Sequence, residues 1–197
     1  MVVCEELGRG LVNAPFAHAA LMTPALLAGA PEAVRTEWLP GIAAGESLVV
    51  PALQERAARY RWQHVATRAT QTGGAWALSG AKCAVPAADE ADAFLVPARL
   101  SGADAGTAGI ALFLVRKADV QVAAYATQDG ARAGDLRLNN STATLVAQDA
   151  FALIETAVDV GIAAHCAEAV GLMDRLVAIT VEYMNTRKQF GTTLASF

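Results

Sequence analysis

Charge is scarce in this chain: 17% of its 197 residues are Asp, Glu, Lys or Arg, against 54% hydrophobic. That balance excludes wholesale disorder, because a chain this apolar can offset its ordering entropy by burial. Aromatic residues are also few, at 6%, and alanine carries much of the apolar share. Closely packed helices are therefore favoured over an aromatic core. There is no basic excess, and a formal net charge of −4 leaves no electrostatic footprint for nucleic acid or an anionic membrane surface. No apolar run reaches the roughly 18–20 residues needed to cross a bilayer. The three cysteines, Cys4, Cys83 and Cys166, are far apart and form no C-x-x-C, which fits reduced thiols rather than a disulfide framework. Met1-Val2-Val3-Cys4-Glu5-Glu6 lacks the basic and apolar regions of a signal peptide, so the expectation is a cytoplasmic protein.

What is present changes character twice along the chain. Residues 1–46 read as helical: apolar positions recur from Cys4 to Val12, and a second turn is entered through Pro24 and ends at Gly29. After Pro31, Val34, Trp38 and Leu39 line one face of a helix that Pro40-Gly41 is expected to stop. Residues 47–146 switch to short β-forming runs: 47–53, 64–70, 76–85, 93–98, 110–115, 120–123, 135–138 and 143–146. Turn residues such as Gly73-Gly74, Ser101-Gly102 and Asn139-Asn140 divide many of them, and 76–82 is the clearest hairpin-like stretch. This pattern predicts an antiparallel β-barrel or sandwich. From Asp149 to Arg187 the helical period returns without a proline. Phe151, Ile154, Val158, Ile162, Cys166, Val170, Met173, Val177, Val181 and Met184 form one apolar stripe, with Gly161 and Gly171 among small residues that admit close helix packing. Such a helix spans more than about 50 Å, and needs helical partners that the sequence barely contains. The expected class is α+β, divided into helices at 1–46, a β-domain at 47–146 and the start of a helical domain at 147–197.

Several blocks have a more specific wording. They are Trp38-Leu39-Pro40-Gly41-Ile42-Ala43-Ala44-Gly45-Glu46, Leu53-Gln54-Glu55-Arg56-Ala57-Ala58-Arg59-Tyr60 and Leu78-Ser79-Gly80-Ala81-Lys82-Cys83-Ala84-Val85-Pro86. To these are added Ala91–Arg99, Gly109–Val115, and Arg187-Lys188-Gln189-Phe190-Gly191 closing the long helix. In this order the blocks resemble the acyl-CoA dehydrogenase family. Glu55, Arg59 and Tyr60 are most similar to the small-subunit type associated with pimeloyl-CoA dehydrogenase, with Arg56 where that type has proline. The resemblance covers nearly the whole chain but only the middle of a full-length member, so the chain reads as a fragment, inactive alone.

The resemblance implies FAD as cofactor and α,β-desaturation of an acyl-CoA thioester, by proton abstraction and hydride transfer to flavin N5. It implies that Pro51, Leu53, Gln54, Glu55 and Tyr60 lie along the flavin and that Ala84, Val85 and Pro86 face its ring. Arg187, Gln189 and Phe190 would reach the FAD of a neighbouring subunit, in a homo- or hetero-oligomer with shared sites. Tyr60 and Asp159 would contact the acyl-CoA, and an electron-transfer flavoprotein is the implied redox partner. Ala84 and Pro86 depart from the Trp and Thr that members often place against the flavin. One of the family's positions for the catalytic carboxylate corresponds to Gly161, so no catalytic residue is assigned. A second reading is a non-catalytic subunit of a heteromeric complex.

Plainer readings stand beside these. Arg187-Lys188 also suits a helix C-terminus, and 55–61 also suits a solvated loop. Asp159 also suits a buried, hydrogen-bonded carboxylate. His165, Cys166 and Glu168 do not converge as metal ligands from one helix, so no metal is expected.

Overall fold

The computed structural model describes residues 1–197 and divides into two units, Ala14–Gly161 and Met1–Asn13 with Ile162–Phe197. In chain order the helices are α1 (Val2–Arg9), α2 (Thr23–Leu27), α3 (Glu32–Ala44) and α4 (Phe151–Thr186). Between α3 and α4 run β1 (Val49–Pro51), β2 (Arg68–Thr72), β3 (Ala75–Pro86), β4 (Ala93–Arg99), β5 (Ile110–Arg116), β6 (Gln121–Ala126) and β7 (Arg132–Ala147). After α4 come β8 (Lys188–Gln189) and β9 (Thr192–Thr193).

The larger unit is built around a seven-stranded sheet. Pairing runs β4–β2–β3–β7–β5 and returns from β5 to β4, closing a barrel, with β1 added on β4 and β6 on β7. The expected barrel is present, but it is mixed rather than wholly antiparallel: β1 and β2 both pair with β4 in parallel. The period-2 pattern of β4 and β5 separates two cores. Phe94, Val96, Ala98, Ala111, Phe113 and Val115 fill the barrel with Leu78, Leu136 and Leu138. Ala93, Leu95, Ile110, Leu112 and Leu114 point the other way, onto Leu26 and Leu27 of α2, Val34 and Trp38 of α3, and Ile154 and Val158 of α4. Strands covered on both faces read as the continuous apolar runs seen at 93–98 and 110–115. Trp38 is also capped by the Arg116 guanidinium, 5.1 Å from its ring.

Several local expectations are corrected. Pro40 does not stop α3, which runs through it to Ala44. The stop comes from Gly45 at φ 73, where the amides of Gly45 and Glu46 cap the carbonyls of Ile42 and Gly41. Asn139-Asn140 is not a turn between strands but a bulge inside β7. Asn140 takes φ 55, and its amide donates to Ser79 Oγ at 3.1 Å. The hairpin near 76–82 is formed by β2 and β3 around Gly73-Gly74. The 64–70 run pairs only from Arg68, because the amides of Ala66 and Thr67 are taken by the Glu55 carboxylate. A π-helical turn at Ala17–Met22 precedes α2, where the sequence marked only the later turn.

In the smaller unit, α1 packs on α4 through glycines. A Cβ on Gly8 would lie 1.9 Å from the Glu168 carbonyl oxygen, and one on Gly171 would lie 1.8 Å from that of Glu5. Arg9 adds an ion pair to Asp174 at 3.2 Å. Beyond this contact Met173, Leu176, Val177, Ile179, Val181, Tyr183 and Met184 are exposed. No helix is long and apolar enough to cross a membrane.

Candidate functional site

Two separate segments of the larger unit converge on one cavity of about 100 Å³. The first is the exit from β1. Pro51 ends the strand, the Ala52 amide still bonds Leu95, and the chain then leaves the sheet with Leu53 and Gln54 exposed to the cavity. The second is the end of β3, where Cys83, Ala84, Val85 and Pro86 form the facing wall. β3 slips register against β7 between Lys82 and Val85, with Ala84 at φ 52, and this bulge turns the segment toward the cavity. His18, Met22 and Trp62 complete the lining.

The walls are tied together residue by residue. The Cys83 amide donates to the Gln54 carbonyl at 2.9 Å. Lys82 Nζ reaches Glu55 Oε1 at 2.7 Å, the lysine side chain being 0% exposed and the glutamate 7%. Glu55 also accepts from the Ala66 amide at 2.7 Å, the Thr67 amide at 3.1 Å and Thr67 Oγ1 at 2.7 Å. Burial works to raise the Glu55 carboxyl, but the Lys82 charge and these donors outweigh it and hold it below the ordinary carboxylate value. Burial in turn pushes the Lys82 ammonium down, opposed by Glu55. Burial and the nearby Asp135 carboxylate push the Cys83 thiol up, which disfavours the thiolate.

Of the residues singled out from the sequence, Pro51, Leu53, Gln54, Ala84, Val85 and Pro86 share this cavity. Glu55 lies between them in sequence, but its side chain is turned into the barrel. Tyr60 is 81% exposed, on the loop beyond Arg59, and does not line the cavity. Asp159 is exposed on α4 rather than buried in a hydrogen-bonded core. Sequence reasoning missed His18, Met22, Trp62 and Cys83. Only Trp62 and Cys83 carried a signal, each lying beside a segment already marked.

Arg187, Gln189 and Phe190 lie in the smaller unit. Arg187 ends the helix with its amide on the Tyr183 carbonyl, and its own carbonyl accepts from Leu194. Between them Lys188–Gln189 pairs with Thr192–Thr193 around Phe190-Gly191, at φ 51 and 85. Positive φ at both central residues makes this a two-residue type I′ hairpin. Phe190 stands at its tip, 95% exposed, edge-on to Phe197 at 6.5 Å.

No family model matches the chain. Among curated proteins it is 30% identical over 204 residues to the acyl-CoA dehydrogenase FadE27 of Mycobacterium tuberculosis, covering 100% of this chain and 51% of that protein. Among solved structures, the ChsE4-ChsE5 complex from Mycobacterium tuberculosis matches 99% of the chain at 27% identity with a TM-score of 0.82, over 52% of its own chain. A glutaryl-coenzyme A dehydrogenase bound to glutaryl-CoA shares the fold along the entire chain, with a TM-score of 0.92 at 22% identity. The chain spans about half the length of the relatives it matches. Across all of its own length, this chain is similar to about half of an acyl-CoA dehydrogenase.

Proposed function

We propose that the chain supplies one wall of an FAD site in an acyl-CoA dehydrogenase that desaturates the α,β bond of an acyl-CoA thioester. The observation that carries this reading is the convergence of Pro51, Leu53 and Gln54 with Ala84, Val85 and Pro86 on one cavity. The residues suit a flat heteroaromatic ring. Leu53 and the prolines offer an apolar bed, Ala84 adds no bulk, and Gln54 offers both a donor and an acceptor. A cavity of about 100 Å³ holds an edge or face of such a ring rather than enclosing it, since enclosing sites run to roughly 300–1,000 Å³.

FAD, when bound, supplies the hydride acceptor. This chain's residues orient the ring and keep water from one side of it. The cavity lining contains no carboxylate, and Glu55 is committed to Lys82. The group that takes the substrate α-proton is therefore assigned outside this lining. Tyr60 and Asp159 are assigned to the acyl-CoA, and Arg187, Gln189 and Phe190 to the FAD of a neighbouring subunit. An oligomer with shared sites, reoxidised by an electron-transfer flavoprotein in the cytoplasm, completes the proposal. The division at residues 46 and 146 follows the same reading.

One observation favours a non-catalytic subunit in a heteromeric complex as the second reading. Gly161, at one of the family's positions for the base, is packed so that a Cβ would come 2.6 Å from the Met22 sulfur. An acidic side chain there would have to displace the Met22 side chain.

A fluorescence titration with FAD tests the first reading. Saturable quenching by the parent chain is expected. Gln54→Glu, which replaces the amide donor by a negative charge, should weaken binding about tenfold, equivalent to about 1.4 kcal/mol. A parent chain that gives no saturable quenching, alone or mixed with its native partner subunit, overturns it.

A further inference from the structure

Three consecutive residues of the β3 bulge are tied down, the first two to the loop that leaves β1 and the third to β7. The Lys82 side chain goes to Glu55 and the Cys83 amide to the Gln54 carbonyl. The Ala84 amide goes to a side chain, Asp135 Oδ1, at 3.1 Å. The register explains why. Lys82 pairs with Leu136 and Val85 with Gly134, so β3 carries one residue more than β7 in this interval. The surplus residue loses its ladder carbonyl, and Asp135, lying opposite the surplus, replaces it with a carboxylate oxygen.

That replacement matters because Ala84 is held at φ 52, a left-handed conformation that costs an L-residue on the order of 1–2 kcal/mol. Such a conformation persists only where surrounding contacts over-determine it. A charge-assisted bond to the amide is stronger than a ladder bond. The same Oδ1 accepts from Tyr125 Oη at 3.2 Å, which fixes the carboxylate from the β6 side. Its other oxygen lies 3.5 Å from the Arg56 guanidinium on the facing loop. Arg56 is 89% exposed, so this last contact contributes little.

We infer that Asp135 is a positioning residue: it holds the Ala84 bulge in place and so aims Ala84, Val85 and Pro86 into the cavity, although it does not line the cavity itself. As a statement about flavin this rests on the FAD reading above. As a statement about the cavity wall it does not.

The cysteines provide the test. Cys83 lies within the bulge and is half-buried, Cys4 is buried in α1 and Cys166 is exposed on α4. Alkylation of the native protein with N-ethylmaleimide, resolved by mass spectrometry, reads all three in one sample. Asp135→Ala should speed Cys83 labelling about tenfold relative to Cys166, with Cys4 unchanged, and should weaken FAD quenching by a similar factor. Asp135→Asn keeps a carbonyl acceptor for the Ala84 amide and should restore Cys83 labelling to within about threefold of the parent. Unchanged Cys83 labelling in Asp135→Ala overturns the inference, as does a parallel rise at Cys4, which would mark general loosening. If Asp135→Ala does not fold, exchange of the Ala84 amide in the parent and in Asp135→Asn decides instead: protection in both supports the inference and rapid exchange in the parent overturns it. A parent chain that fails to quench FAD sinks the flavin reading, while the labelling result still decides the role of Asp135.

Discussion

The Lys82 ammonium meets the Glu55 carboxylate at 2.7 Å with both side chains withdrawn from water. One charge comes from the loop that leaves β1 and the other from β3, so the pair joins the two walls of the cavity from inside the barrel. Removing two ions from water is expensive, and the pair persists because Glu55 is also supplied with donors from Ala66 and Thr67.

Lys82→Met should therefore destabilise the protein by about 3–5 kcal/mol, because Glu55 is left buried and uncompensated. Adding Glu55→Gln to that variant should recover part of the loss. Recovery stays incomplete because one amide oxygen cannot serve the donors that two carboxylate oxygens accept. Urea unfolding of the two single variants and the double variant measures the coupling. A Lys82→Met variant within about 0.5 kcal/mol of the parent would contradict the role assigned to the pair.

Acid should reveal the same carboxylate. Folded Glu55 titrates below its ordinary value of 4.5, so its contribution is fully present above that pH and is lost as the pH falls through the depressed folded value. The gap in thermal midpoint between the parent and Glu55→Gln should accordingly be constant near neutrality and close as the solution is taken below 4.5. A gap independent of pH would show that Glu55 is not ionised in the folded chain.

Gly8 and Gly171 make a prediction opposite to helix propensity. Alanine in an open helix is favoured over glycine by about 1 kcal/mol. Here each added Cβ would fall within 2 Å of a carbonyl oxygen on the other helix. Gly8→Ala and Gly171→Ala should each cost on the order of 2 kcal/mol and loosen α1 from α4. Faster amide exchange confined to residues 2–9 would register this. Protection equal to the parent would show that the helices can separate without loss.

The Phe190 hairpin separates folding from recognition. Asn-Gly is the preferred central pair for a type I′ turn, so Phe190→Asn should keep the hairpin, with the Leu194 amide still protected by Arg187. Stability should change by no more than about 0.5 kcal/mol. Retention of FAD by the assembled protein should nevertheless fall, because the exposed ring is assigned to a neighbouring subunit's cofactor. Unaltered retention in an intact oligomer would remove Phe190 from that role.

Much of the architecture could be read from local pattern. The change from helical to alternating period near residue 47, and back near 149, places the barrel between helices. The resemblance also marked both cavity walls. What escaped depends on distant partners. Pro40 reads as a stop because its missing amide is a local fact, whereas the cap that ends α3 lies at Gly45. Asn139-Asn140 reads as a turn because asparagine tolerates positive φ, and only pairing with β3 shows that the strand continues through it. Glu55 reads as a loop charge near a ligand, yet Lys82, far along the chain, draws it inward. His18 and Met22 gave no sign of belonging to the cavity, because they enter it from a π-helical turn before α2.

Residue order and composition are enough to specify the helix–barrel–helix succession and the long apolar α4. Both follow from side-chain period within a few neighbouring residues, whereas the Phe190-Gly191 turn holds a phenylalanine at positive φ and shows only in the fold. The inward turn of Glu55, the Ala84 bulge with its bond to Asp135, and the meeting of 51–54 with 83–86 arise from folding in three dimensions. They depend on strand register and on which charge finds which partner, and those choices are settled between segments tens of residues apart.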